Sequence, residues 1–147
     1  MKPGKDFIGI GVFALIFDEN ESNFILGYHL PTKKKGSDYS LMWSMPGGTI
    51  EFEETAISTL KREIKEETNL DLTKIQFINF TEYIKDGKHW LALNYKACAN
   101  LEQLKNLEPE KIKEFKKFSV KNIPSNISKD TRACLLALKY KTPDLGK

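Results

Sequence analysis

Apolar residues fall along this chain in two recurring patterns, and each predicts an element. Residues 8–17 (IGIGVFALIF) form a nearly unbroken apolar run rich in β-formers, which predicts a strand covered on both faces. A polar turn (DENESN, 18–23) separates it from FILGYHL (24–30), and together they predict a hairpin. PTKKKGSDYS (31–40) has turn formers and three consecutive lysines and predicts an exposed loop. Its lysines suit a solvated face, with attraction of an anionic ligand as the alternative. MWSMPGG (42–48) predicts a short strand broken by Pro46 and the glycine pair. From Thr55 to Thr68 there is neither Gly nor Pro, and Ala56, Ile57, Leu60 and Ile64 recur at the spacing of one helical face. Asn69 stands where a helix ends on a left-handed residue. IQFINFTEYI and HWLALNYKACA flank Asp86-Gly87 and predict two strands around a tight turn. Residues 102–117 are highly charged and interrupted by Pro109, which predicts a loop leading into an edge strand that Pro124 ends. Thr131 to Tyr140 predicts a closing helix with Cys134, Leu135 and Leu138 inward. Strands, helix, strands, helix in this order suggest a mixed sheet with helices on its faces.

Composition narrows the class only a little. A chain of 147 residues is long enough for one domain with a single core, here taken as 1–147. Twenty-three basic against twenty acidic residues leave +3, too mild to argue for nucleic acid. The longest apolar run falls well short of the roughly 20 residues of a membrane span, and MKPGKDF lacks a signal-peptide pattern. Cys98 and Cys134 lie in apolar surroundings and read as buried thiols, which with the rest points to the cytoplasm.

The chemistry concentrates between Pro46 and Leu70. On a helical wheel Glu63 and Glu67, at i and i+4, border the buried face close to Ala56, while Glu66 lies further round and Lys61, Lys65 and Ser58 point outward. Runs such as KREIKEE also suit a solvated helix, where pairs like Arg62–Glu66 contribute a few tenths of a kcal/mol. Two acids at the border of a core, however, repel one another most where water is excluded. A divalent cation resolves this, and oxygen ligands suit Mg²⁺. Gly47 and Gly48 precede the helix, where bare backbone can approach a ligand.

Gly48, five residues, Glu54, seven residues, Arg62-Glu63-Ile64, one residue, Glu66-Glu67, two residues, Leu70: this spacing resembles the Nudix box, here residues 48–70. WSMPGGTIEFEE resembles the box entry of small MutT-like nucleotide-processing members, and NLEPEKIKEF with NIPSN is similar to their later strand and loop. The resemblance implies an α+β fold with a mixed sheet sandwiched between helices. It also implies Mg²⁺-dependent hydrolysis, with Mn²⁺ as a substitute, of a nucleoside diphosphate linked to another group. Glu63, Glu66, Glu67 and the Gly47 carbonyl would hold metal, and Glu54 with Arg62 would form the orienting pair. Family members often carry a further acid beyond the box, for which Glu108, Glu110 and Glu114 compete, with Glu110 and Glu114 preferred; Glu51 could also reach the metal from the loop.

Gly47 and Gly48 would meet substrate, and for base stacking the chain offers Trp43, Phe52, Phe80, Tyr83, Trp90 and Phe115, with Trp43 and Phe52 nearest the box. His29 and His89 show no partner spacing. A homodimer would accord with the family. The chain departs from the family at Glu53 and Asn69, where the family usually has Gly. Within this reading the substrate is first a nucleoside triphosphate, oxidised or otherwise modified bases included, and second a sugar nucleotide such as ADP-ribose. A non-catalytic nucleotide-binding module is the reading from another class. An RNA-directed one is motivated by Lys33–Lys35 and the lysines of 111–117, and disfavoured by their interspersed acids.

Overall fold

The computed structural model describes residues 1–31 and 41–143; nearly all of the lysine-rich loop predicted at 31–40 lies outside them. Seven strands form one mixed sheet: β1 (Gly9–Phe17), β2 (Asn23–His29), β3 (Trp43–Ser44), β4 (Gly47–Thr49), β5 (Thr73–Lys85), β6 (Lys88–Cys98) and β7 (Ile112–Ser119). Helix α1 (Ala56–Thr68) packs on one face and α2 (Lys129–Ala137) on the other. This is the α+β architecture expected.

β1 carries the sheet. It runs parallel to β6 along its whole length and pairs with β2 only at Ile16–Ile25 and Phe17–Phe24. Beyond those pairs the hairpin opens into a fork, and the Trp43–Thr49 segment fills it: β4 pairs with β1 at residues 11–13, β3 pairs with β2, and Ala14 donates to the Pro46 carbonyl at 3.0 Å. The expected β5–β6 hairpin turns on Asp86 (φ 52°) and Gly87 (φ 75°), two left-handed residues as such a turn requires.

Alternation along β1 sorts its side chains between two cores. Val12, Ala14 and Ile16 face α1 and meet Leu60 and Ile64, whereas Leu15 and Phe17 face α2 and meet Cys134 and Leu135. Both cysteines are free and buried.

The structure adjusts several boundaries. Thr55 is the N-cap of α1 and not its first turn: its hydroxyl accepts from the Ser58 N–H, and Ser58 Oγ accepts from the Thr55 N–H. Ile57, expected on the buried face, is 38 % exposed because the contact stripe follows Ala56, Leu60 and Ile64. α2 begins two residues earlier than expected, since Ser128 caps it by accepting from the Thr131 N–H. It also ends three residues earlier, at Ala137. Within the charged stretch a 3₁₀ turn (Leu101–Gln103) precedes β7, and β7 ends at Ser119, five residues before Pro124. Asn69 ends α1 in the left-handed region (φ 67°) as expected.

Candidate active site

The glycine pair is not an exposed bend. It is strand β4, wedged beside β1, and its glycines answer to crowding. A Cβ at Gly47 would run into the Val12 carbonyl oxygen, and one at Gly48 into the carboxyl group of Glu63. Gly48 is therefore bare so that Glu63 can lie against the strand. Gly47 meets the box through its amide, donating to Glu67 Oε1 at 3.1 Å.

The box carboxylates occupy three different environments, set by their places on α1. Glu67 is 9 % exposed, the Glu63 side chain is 19 % exposed, and that of Glu66 is 53 % exposed. Burial pushes the Glu67 carboxyl up to about 8; the Gly47 N–H opposes this, while the charges of Glu63 and Glu108 reinforce it. Glu63 is also shifted upward, by burial first, with Arg62 opposing. Glu54 behaves in the opposite way. Arg62 grips it with two bonds, Nε to Oε2 at 2.9 Å and Nη2 to Oε1 at 2.8 Å, and Thr59 Oγ1 adds a third at 3.1 Å. That grip holds the Glu54 carboxyl down at about 2. The remaining Nη1 of Arg62 reaches Glu63 at 3.1 Å and Glu66 at 3.4 Å. Arg62 thus ties all the outer acids together and leaves Glu67 to the interior.

Among the described residues no three acids or other ligating side chains converge into a ready-made metal cage. The donor set nevertheless fits a hard divalent ion that keeps waters and substrate oxygens in its shell and takes one or two carboxylates. Glu63 and Glu67 are oxygen donors one helical turn apart, both shifted upward first by burial; Arg62 reaches Glu63 but not Glu67.

The other predicted residues scatter. Glu51 is exposed; its N–H donates to Glu54 Oε1 at 3.2 Å and its carbonyl accepts from the Glu54 N–H, so it shapes the loop. Phe52 is 94 % exposed. Trp43 belongs to the α2-side core, edge-on to Tyr28 and Phe118 with ring centroids 5.0 and 4.9 Å away. Phe115 packs on the α1-side core, Trp90 lies under Gly4 and Gly9, and Phe80 is 59 % exposed. Glu110 lies in an exposed turn and Glu114 on the exposed side of β7, opposite Tyr28. The acid beyond the box that acts on both Glu63 and Glu67 is Glu108. One local signal marks it: Asn106 Oδ1 accepts from the Glu108 N–H at 3.0 Å, an Asx turn that sets the loop. On the α2 side a cleft of about 440 Å³ opens at the start of that helix, lined by Met42, Tyr83, Ser128 and Asp130 among others.

A mixed sheet between two helices, with a glycine strand set against glutamates one turn apart, defines the Nudix class. The chain belongs to the Nudix family: the model of the NUDIX domain matches residues 8–138. It resembles MutT-type members. A crystal structure of a MutT NUDIX hydrolase from Burkholderia pseudomallei superposes with a TM-score of 0.76 at 24 % identity, covering 93 % of this chain and 100 % of that one. The MutT protein of Methanosarcina mazei Go1 superposes with a TM-score of 0.72 at 18 % identity, over 90 % and 93 %. In sequence, the 8-oxo-dGTP diphosphatase of Buchnera aphidicola (subsp. Acyrthosiphon pisum, strain APS) is 40 % identical over 47 residues, a match spanning 32 % of this chain and 38 % of that relative's length. No helix among the described residues is long and apolar enough to cross a membrane.

Proposed function

We propose that the protein is a divalent-metal-dependent nucleotide diphosphatase that cleaves a nucleoside triphosphate into nucleoside monophosphate and pyrophosphate. The observation that carries this reading is the pair Glu63 and Glu67, partly desolvated one turn apart beside a glycine strand, where a divalent cation would relieve the repulsion of their ionised forms. Glu63 and Glu67, with Glu66 at the rim, are the residues to hold Mg²⁺ or Mn²⁺. Such an ion would neutralise polyphosphate charge and acidify the attacking water. Arg62 fixes Glu54 and steadies Glu63 and Glu66. Water attacks phosphorus, the phosphoanhydride bond breaks, and the proton of the water passes to a carboxylate of the cluster, with Glu108 as the acid from outside the helix. The α2-side cleft offers volume for the nucleoside. The activity named for the Buchnera relative supports a modified purine triphosphate among the substrates to try first.

The test is turnover of a nucleotide panel, sugar nucleotides included, with Mg²⁺, comparing wild type with Glu67→Gln. A fall of at least about a thousandfold in the variant is expected for loss of a charge that acts on the metal and the transition state. Equal rates would remove the role given to Glu67. Nucleotide binding with no turnover across the panel would favour a non-catalytic module.

A further inference from the structure

The loop between β6 and β7 is stitched to the last turn of α1. The Lys105 N–H donates to the Thr68 carbonyl and the Leu107 N–H to that of Glu67 itself, both at 3.0 Å. Asn106 closes the loop, its Nδ2 donating to the Ile112 carbonyl at 2.6 Å and its Oδ1 accepting from the Glu108 N–H. The N–H groups of Lys111 and Ile112 both donate to the Glu108 carbonyl. Glu108 and Lys111 are therefore held in fixed relation to Glu67, 41 and 44 residues away in sequence, and Lys111 Nζ lies 3.3 Å from Glu108 Oε2. Arg62 does not serve Glu67 in the same way, because its guanidinium is already shared among Glu54, Glu63 and Glu66.

We propose that Lys111, through its ion pair with Glu108 in the loop stitched to α1, is the resident positive charge of the carboxylate cluster, a place-holder that a divalent cation displaces, so that it sets how tightly the site takes its metal. The electrostatics agree. Burial works against the Lys111 ammonium, yet Glu108, Glu67 and Glu63 hold it above the usual lysine range. In turn, Lys111 is the positive charge among the leading influences on Glu67. The inference rests on the divalent-metal reading of the cluster. A plain surface pair at i, i+3 is the competing account, since the Lys111 side chain is 64 % exposed.

Calorimetric titration of the nucleotide-free protein with Mg²⁺ alone separates the two. Lys111→Met is expected to bind Mg²⁺ about three- to tenfold more tightly than wild type, the size of a partly screened unit charge, with Lys111→Arg close to wild type. The metal-free Met variant should also melt below wild type, and saturating Mg²⁺ should close that gap. Equal or weaker Mg²⁺ affinity in Lys111→Met, with wild type binding normally, overturns the role of Lys111 and leaves the metal site standing. Absence of Mg²⁺ uptake by wild type overturns the site and this inference together.

Discussion

Beneath α2, Asn94 is fully buried on β6 and its Nδ2 donates to Asn79 Oδ1 at 3.0 Å and Thr81 Oγ1 at 3.1 Å; Cys134 Sγ lies 3.6 Å from the same Asn79 oxygen. Beneath α1, on the opposite face, Glu67 is nearly as buried, but its neighbours include two further acids, and among the described residues a single backbone N–H, that of Gly47, bonds its side chain. One face buries neutral dipoles that satisfy one another, with the Asn94 Oδ1 left over; the other buries like charges that do not. A polar group that stabilises a fold is matched within it, whereas one kept for chemistry is left dependent on something that binds.

The sharpest way to break this contrast is pH. The folded-state pKa of Glu67, about 8, lies above the ordinary glutamate value. Below that ordinary value both folded and unfolded chains carry the proton, and Glu67 costs nothing. As pH rises from about 4.5 to 8 the unfolded chain ionises and the folded one resists, so the metal-free protein loses stability, on the order of a few kcal/mol in total, and levels off above 8. Denaturant unfolding in EDTA from pH 5 to 9 should show this slope in wild type, a flatter one in Glu67→Gln, and recovery of wild type with excess Mg²⁺. Identical slopes would mean that Glu67 is not the strained group.

Asn94→Ala should act oppositely. It leaves Asn79 and Thr81 short of a donor and opens a small void, costing about 2–3 kcal/mol, with no pH slope of its own and unchanged Mg²⁺ affinity by calorimetry. A changed affinity would show the two faces to be coupled.

The smallest effect concerns the loop entering the site. Glu53 stands in the left-handed region (φ 73°) where the family usually has Gly. Glu53→Gly relieves that strain and should raise stability by ~0.5–1 kcal/mol in thermal melts. A loss instead would mean that its carboxylate near the start of α1 outweighs the backbone strain.

The fold was legible wherever a few neighbouring residues decide it. The β1 run, the Asp86-Gly87 turn and the left-handed Asn69 were all read correctly from local pattern. The edge-on packing of Trp43 against Tyr28 and Phe118 was not legible, because those rings arrive from other strands. The glycine pair, expected to break a strand, forms one of its own, because sequence cannot show the fork between β1 and β2 that receives it. Among Glu108, Glu110 and Glu114 spacing offered no choice, since only the anchoring of the loop to α1 separates them.

By itself, then, the amino-acid order determined the helix that carries the glutamates, its left-handed stop at Asn69 and the placing of Glu63 and Glu67 inward of Glu66, because periodicity and dihedral preference act within a turn or two. Tertiary structure alone decided which carboxylate lost its water, which arginine contacts closed, and that Glu108 and Lys111 would stand beside a helix some 40 residues earlier. Desolvation and charge pairing depend on what the rest of the chain brings alongside, and no local pattern encodes that.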